Sequence, residues 1–206
     1  EARLPGKHSV FPVELREGGP FMNTKQTSIR FCGFGGQGII LSSVILGEAA
    51  VTREGIYAAQ SQSYGSEARG GQCQSEVVLS KSPIGTPTNE QNDILVAMFQ
   101  AAYESHKHEL KKGGILFVDS SLVPDLGDVD PSVTVWKVPA TETAIRLGSK
   151  MAGNMVMLGF LQEKTKVVSK ESLMETIRGS VKEKFVAMNL AAFEEGVRLA
   201  REAAAP

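Results

Sequence analysis

Cysteine, excess charge and long apolar runs are all scarce in this chain, and each scarcity excludes a class of protein. Its two cysteines, Cys32 and Cys73, cannot supply the four thiolates that an iron–sulfur cluster usually takes. A net charge of −1 gives no broad attraction to nucleic acid or anionic lipid. No apolar run approaches the roughly 20 residues of a membrane span, and the N-terminus lacks a secretory-signal pattern. We therefore expect a cytoplasmic protein that binds neither nucleic acid nor membrane.

The side-chain combinations that carry most enzyme chemistry are also missing. The chain offers no Ser/His/Asp or Cys/His arrangement, no cluster with metal-ligand spacing and no Walker loop. The sequence therefore predicts no catalytic residue, no metal site and an isolated chain without activity of its own.

A length of 206 residues suits one globular domain. Residues 1–21 contain scattered proline and glycine and no helical or strand period, and Glu-Gly-Gly at 17–19 is what a translated ribosome-binding sequence would encode just before Met22. Our hypothesis is that residues 1–21 are a poorly ordered translated leader or cloning extension, and that residues 22–206 form a single domain.

The first part of that domain reads as strand, glycine loop and helix. Residues 28–32 form a short apolar strand that ends in Gly-Phe-Gly-Gly-Gln-Gly at 33–38. Residues 39–50 are apolar around most of a helical circumference, and Gly55 ends that helix. Two further strands are expected at residues 56–59 and 72–80.

The remaining pattern alternates strands with helices. Residues 93–99 and 115–118 have the near-continuous apolar character of strands buried on both faces, with a helix between them that we expect to extend to about Lys112. A strand at 133–138 is followed by a short helix and by helices at about 150–165, 169–179 and 182–203. The sequence therefore predicts an α/β fold: a Rossmann-like, mostly parallel sheet with helices on both faces and a helical C-terminal third.

The glycine loop fits the pattern Gly-x-Gly-x-x-Gly between a strand and a helix. Such a loop lets backbone amides and a helix N-terminus approach an anion. A dinucleotide site also needs an acid after the second strand, but residues 56–62 contain none, and Glu54 comes too early. Three interpretations stay open: nicotinamide binding, tight packing alone, or an anion or polar contact by Gly35, Gly36 and Gly38, with the Gln37 amide reaching a ligand or partner.

A second motif, Gln-Ser-Tyr-Gly-Ser-Glu-Ala-Arg-Gly-Gly at 62–71, precedes a Ser-Glu-Val-Val strand at 75–78. Together with the glycine loop, Asp-Ile-Leu-Val-Ala-Met at 93–98 and Asn-Met-Val-Met-Leu-Gly at 154–159, it resembles the gamma subunit of the 2-oxoacid:ferredoxin oxidoreductases, most closely the 2-oxoglutarate branch. The likeness covers about residues 28–195.

The resemblance implies a non-catalytic subunit of an enzyme that converts a 2-oxoacid and coenzyme A to acyl-CoA and CO2 and passes two electrons to ferredoxin. It implies alpha, beta and delta partner subunits, with thiamine diphosphate, its Mg2+ and the iron–sulfur clusters on those partners. This chain would hold no cofactor alone and would lie beside the coenzyme A and thiamine region. The alternative is a free-standing Rossmann oxidoreductase that binds a nicotinamide or flavin nucleotide; a scaffold without ligand is a third possibility.

The loop at residues 63–71 carries the chemistry that coenzyme A would need. A guanidinium such as that of Arg69 bonds phosphate oxygens in a planar, bidentate way, and Gly70 and Gly71 bring backbone amides near a ligand. Tyr64 could pack on the adenine, and Glu67 would shape the approach. The alternatives are contact with a partner chain, or a local Glu67–Arg69 ion pair beside a rim aromatic. In related single-chain pyruvate enzymes, lysines occupy this loop.

Two residues near position 154 complete the expectations. Asn154 is a polar amide in an apolar run, so it should have a hydrogen-bond partner, in a cap or at a subunit contact. Met151, with Met155 and Met157, is expected to fill an apolar helix contact.

Overall fold

The fold is known from a computed structural model. It describes residues 9–10, 26–64, 71–85 and 89–204, with the backbone alone for residues 9, 10 and 64.

Seven strands form one sheet in the order β1-β3-β4-β2-β5-β6-β7. They are β1 (Ser9–Val10), β2 (Gln26–Phe34), β3 (Tyr57–Tyr64), β4 (Gln72–Ser80), β5 (Asn92–Ala97), β6 (Leu110–Asp119) and β7 (Thr134–Val138).

Six α-helices complete the described architecture. They are α1 (Ile39–Glu54), α2 (Gln100–His106), α3 (Ala140–Arg146), α4 (Gly153–Thr165), α5 (Lys170–Ser180) and α6 (Glu183–Glu202), with 3-10 turns at Lys107–Glu109 and Lys150–Ala152. The predicted helical C-terminal third is confirmed.

The sheet is mixed, with its parallel part at one side. Strands β2, β5, β6 and β7 pair in parallel, whereas β4 pairs antiparallel with both β2 and β3. Most strands still run one way, as predicted, because β3 runs parallel to β2 across β4. The neighbour of β2 on that side is thus antiparallel, unlike the second strand of a dinucleotide-binding half.

Strands β3 and β4 form a β-hairpin. The register runs from Tyr57 opposite Ser80 to Tyr64 opposite Cys73. The second strand is therefore longer than residues 56–59, and Ser63 and Tyr64, which the sequence placed in a loop, end β3. The polar run Gln-Ser-Gln-Ser at 60–63 hides the strand signal, because it lacks the apolar alternation that marks a strand half-buried in a sheet.

Helices cover both faces of the sheet. One core lies between the sheet and α1, α3, α4, α5 and α6, and includes Ile29, Phe31 and Phe117. A smaller core lies under α2 on the other face, around Leu95 and Tyr103. Helices on both faces are thus confirmed.

The helix expected to extend to Lys112 ends earlier. Helix α2 stops at His106, and β6 already begins at Leu110. Lys111 lies in that strand, and its Nζ pairs with Asp93 Oδ1 at 2.7 Å. Leu110 pairs with Asn92 across the sheet, so tertiary pairing overrides the local helix-ending signal of the lysines and glycines.

Helices α4 and α6 cross with their backbones in close contact, and a glycine lies at each contact point. A Cβ on Gly159 would collide with the backbone carbonyl of Phe193, and one on Gly196 with that of Val156. These two positions set how closely the helices approach.

At the far edge of the sheet, Trp136 on β7 packs edge-on against Phe160 of α4, with ring centroids 5.7 Å apart. Lys164 Nζ lies 3.9 Å from the centre of the indole ring, in a cation–π contact.

Of the N-terminal segment, the structure describes Ser9 and Val10. They pair antiparallel with Gln60 and Ala59 at the edge of β3. Whether residues 1–21 are foreign to the native protein stays a prediction.

Candidate functional site at the glycine-loop end of the sheet

The glycine loop, residues 33–38, connects β2 to α1 as predicted. Gly36 and Gly38 have φ angles of +95° and +74°, which disfavour residues with a Cβ. Gly38 is the N-cap of α1 and supplies no side-chain cap, so the helix N-terminus is open to an anion or a polar group.

The two sequence motifs meet at this end of the sheet. Phe34, the last residue of β2, pairs with Gln72, the first of β4. The backbone N–H of Gly35 donates to the carbonyl of Gly71 at 3.0 Å. Strand β3 ends at Tyr64, opposite Cys73, and β4 begins at Gln72, so both strand ends lie at the glycine-loop end of the sheet.

Five of the nine predicted site residues can be located fully: Gly35, Gly36, Gln37, Gly38 and Gly71. The side chain of Tyr64 and all of Glu67, Arg69 and Gly70 lie outside the described residues. Their contacts with a ligand or partner stay predictions.

The side chain of Gln37 braces the glycine loop. Its Oε1 accepts a hydrogen bond from the backbone N–H of Phe34 at 2.6 Å, and its Nε2 donates to the carbonyl of Met98 at 2.8 Å. The amide therefore ties the loop to the end of β5. Since both polar atoms of the side chain are already hydrogen-bonded, the backbone of the loop supplies the polar groups that could contact a ligand.

Asn154 confirms the expectation that it has a partner. Only 3% of the residue is exposed, and its Nδ2 donates to the Gly38 carbonyl at 3.1 Å and to Ser42 Oγ at 3.3 Å. The side chain thus fixes the start of α1 against α4. Among the described residues, none donates a hydrogen bond to its Oδ1.

Two hollows adjoin at the glycine loop and share Gly36, Met151 and Asn154. The first hollow, about 400 Å³, is also lined by Phe34, Gln37, Phe99, Thr141 and Lys150. The second hollow, about 420 Å³, is also lined by Leu41, Ser180, Val181, Lys182, Phe185 and Met188.

The expectation for Met151 is wrong, because this residue is 68% exposed. It lies in the 3-10 turn before α4, at the rim of both hollows, and not on the buried helix. Met155 and Met157 lie on α4 and are buried as expected.

Sequence reasoning missed Lys150, Lys182 and Phe185. Lys182 is the N-cap of α6, and Lys150 opens the turn before α4. A cation at a helix N-terminus opposes the helix dipole, and that local conflict was the signal that could have marked Lys182.

Glu54 has a structural contact far from the glycine loop, at the other end of α1. Its Oε1 accepts hydrogen bonds from Ser169 N at 3.0 Å and Ser172 Oγ at 2.5 Å, at the start of α5. Burial opposes its ionisation, but the bonds from Ser169 and Ser172 outweigh it and hold its pKa below the ordinary value. Glu54 is therefore not placed to act as the carboxylate that binds the ribose in a dinucleotide site.

Both cysteines are buried, and burial raises the pKa of each thiol. Within the described ranges, no group of three or more His, Cys, Asp or Glu residues could hold a metal ion. In the same ranges no helix has the length and apolarity to cross a membrane.

Comparisons with known proteins agree over most of the chain. The family model described as pyruvate ferredoxin/flavodoxin oxidoreductase matches residues 28–199. The 2-oxoglutarate synthase subunit KorC of Methanocaldococcus jannaschii is 45% identical over 175 residues, which cover 84% of this chain and 94% of that protein.

Two solved structures share the fold. The gamma subunit of a keto/oxoacid ferredoxin oxidoreductase from Geobacter sulfurreducens is 40% identical, with a TM-score of 0.76 over 86% of this chain and 99% of that one. A 2-oxoglutarate:ferredoxin oxidoreductase from Magnetococcus marinus, with 2-oxoglutarate, coenzyme A and succinyl-CoA bound, is 28% identical, with a TM-score of 0.81. This chain covers 32% of that one, and the match covers 89% of this chain.

Proposed function

The chain belongs to the pyruvate ferredoxin/flavodoxin oxidoreductase family as a gamma-type subunit, and from that premise we propose that it completes the coenzyme A and thiamine region of a cytoplasmic 2-oxoglutarate:ferredoxin oxidoreductase. The assembled enzyme would convert 2-oxoglutarate and coenzyme A to succinyl-CoA and CO2, while two electrons pass to ferredoxin. The name of the Methanocaldococcus relative supports 2-oxoglutarate as the substrate.

The reacting groups belong to partner chains in this proposal. Alpha, beta and delta subunits would carry thiamine diphosphate, Mg2+ and the iron–sulfur clusters. The composition of this chain agrees with that division, because its two cysteines are fewer than the four thiolates that an iron–sulfur cluster usually takes.

The observation that carries the role of this chain is the bond from Gly35 N to Gly71 O. It holds the glycine loop against Gly71, just before β4. Gly70 is one residue and Arg69 two residues along the chain from that point, which lies beside the open N-terminus of α1. A guanidinium, glycine amides and a helix N-terminus are all groups that bind phosphate. Coenzyme A carries a 3′-phosphate and a pyrophosphate.

The test is Arg69→Ala in the assembled enzyme. A hydrogen bond to a charged group contributes about 1.5–3 kcal/mol, so the KM for coenzyme A should rise roughly 10-fold to 100-fold while kcat changes little. Arg69→Lys should recover part of the loss. Arg53→Ala, at the other end of α1 and exposed, serves as the matched control.

An unchanged KM would exclude the phosphate contact. If Arg69→Ala instead prevented co-purification with the thiamine-binding chains, the loop would be a subunit contact. The free-standing nucleotide-binding alternative is tested by titrating the isolated chain with NAD(H), NADP(H), FAD and FMN. We expect no binding, because β2 has an antiparallel neighbour where the second dinucleotide strand would lie.

A further inference from the structure

Five large apolar side chains among the described residues are exposed. They are Phe34 (37% exposed), Val44 (37%), Ile145 (55%), Met151 (68%) and Phe185 (49%). Phe34 and Met151 line the first hollow, and Met151 and Phe185 the second. Single exposed apolar residues need no explanation, but a contiguous group marks an interaction site.

The two remaining residues lie on helices that border the hollows. Val44 lies one turn along α1 from Leu41, which lines the second hollow, and Ile145 lies one turn along α3 from Thr141, which lines the first. We call the surface formed by the two hollows and these five side chains the apolar face.

The charged residues that line the two hollows are both lysines. Lys150 is the charged residue that lines the first hollow, and Lys182 is the one that lines the second. Neither makes an ion pair with any described residue. A carboxylate reaches the rim at Glu48, whose Oε2 accepts a hydrogen bond from Ser180. A complementary partner would therefore be apolar at its centre and acidic at its edge.

We propose that the apolar face is the docking surface for another subunit of the same enzyme, which inserts apolar side chains into the second hollow and places carboxylates opposite Lys150 and Lys182. The inference rests on the proposed function and adds the chemistry of the partner segment. A second copy of this chain fits less well, because a two-fold contact uses the same surface on both copies and, among the described residues, no carboxylate lines either hollow to pair with Lys150 and Lys182 of the other copy.

The test uses the enzyme assembled from co-expressed subunits, with the gamma chain also titrated into the complex lacking it. Phe185→Asp and Met151→Asp should each weaken binding at least roughly tenfold, as expected for central anchors of an interface. Lys150→Glu combined with Lys182→Glu should weaken binding and reverse its dependence on salt. Lys81→Glu, exposed in the turn after β4 and making no ion pair among the described residues, is the matched control.

Folding is checked on the isolated variants by circular dichroism and thermal unfolding, since all four positions are exposed or at a rim. Wild-type affinity for every variant would overturn the docking surface, and normal assembly with a raised KM for coenzyme A would make it a ligand site instead. A gamma-chain dimer disrupted by Phe185→Asp would overturn the inference in favour of a second copy. Failure of the wild-type chain to assemble would overturn the proposed function as well.

Discussion

At the residue scale, Asn154 joins two helices that are far apart in the chain. Its Nδ2 reaches the Gly38 carbonyl across a sequence separation of 116 residues. The sequence signal was a polar amide in an apolar helix, which requires a partner but does not identify it. The structure identifies the partner as the glycine loop, so Asn154 helps to position the candidate site.

Substitution of Gly38 should therefore lower the free energy of unfolding more than substitution of Gly36. Both have positive φ angles, so alanine introduces backbone strain of about 1–3 kcal/mol at either position. A Cβ at Gly36 meets no atom within 4 Å, whereas one at Gly38 would strike the Asn154 amide. Chemical denaturation should show the larger loss for Gly38→Ala, and Asn154→Gly should recover part of it. Equal losses would show that Asn154 does not restrict this position.

Glu54 should make stability depend on pH. Its pKa is lowered in the folded state, so its stabilising effect is present above about pH 4.5 and is lost as pH falls through the folded-state pKa. Glu54→Gln should lower the free energy of unfolding at pH 7 by about 0.5–1 kcal/mol, discounted for solvent exposure, and should reduce the loss of stability in acid. Glu90→Gln, exposed, is the control. Identical acid profiles for wild type and Glu54→Gln would contradict this account.

At the element scale, the close crossing of α4 and α6 depends on Gly159 and Gly196. The sequence analysis predicted both helices but not their separation, because a glycine within a helix does not reveal what lies against it. Each glycine faces a carbonyl of the other helix, where no side-chain rotation can make room.

Gly159→Ala and Gly196→Ala should each lower the free energy of unfolding by roughly 3 kcal/mol, because the helices must separate and lose packing along their length. Gly179 in α5 has open space around its position, so Gly179→Ala should stabilise the protein by roughly 0.5–1 kcal/mol. Thermal and denaturant unfolding measure all three. A loss below about 1 kcal/mol at Gly159 would mean that the crossing tolerates a wider spacing.

The same scale shows what local sequence could predict. The buried parallel strands β5 and β6 and helices α1, α5 and α6 could be predicted from the pattern of apolar residues and from the glycines at element ends. The hairpin of β3 and β4 could not, because the polar strand β3 owes its conformation to cross-strand hydrogen bonds. The end of α2 was also misplaced, since the pairing of Leu110 with Asn92 is a long-range contact.

At the scale of the whole molecule, the motifs were visible in the sequence but their meeting point was not. The glycine loop and the start of β4 come together only because β4 lies antiparallel beside β2. Lys150, Lys182 and Phe185 join them from the C-terminal third. No local pattern encodes that convergence, which follows from strand order and helix packing.

Removal of residues 1–21 should leave this arrangement intact. Strand β1 contributes two paired residues at the sheet edge, so its loss should cost about 1 kcal/mol of unfolding free energy. Amide hydrogen exchange should become faster at Ala59 and Gln60 and stay unchanged in β2 and β5. A loss of several kcal/mol would show that the N-terminal segment is part of the folded domain.

Trp136 is an intrinsic fluorescence probe that reports on one edge of the sheet. It is the single tryptophan of the sequence, and it lies on β7 beneath Lys164, at the opposite edge of the sheet from β3. Its emission should therefore follow loosening of α4 from β7 and stay insensitive to events at the β3 edge. Fluorescence and amide exchange in β3 would thus observe opposite borders of the molecule, and coincident transitions would show that one cooperative unit spans them.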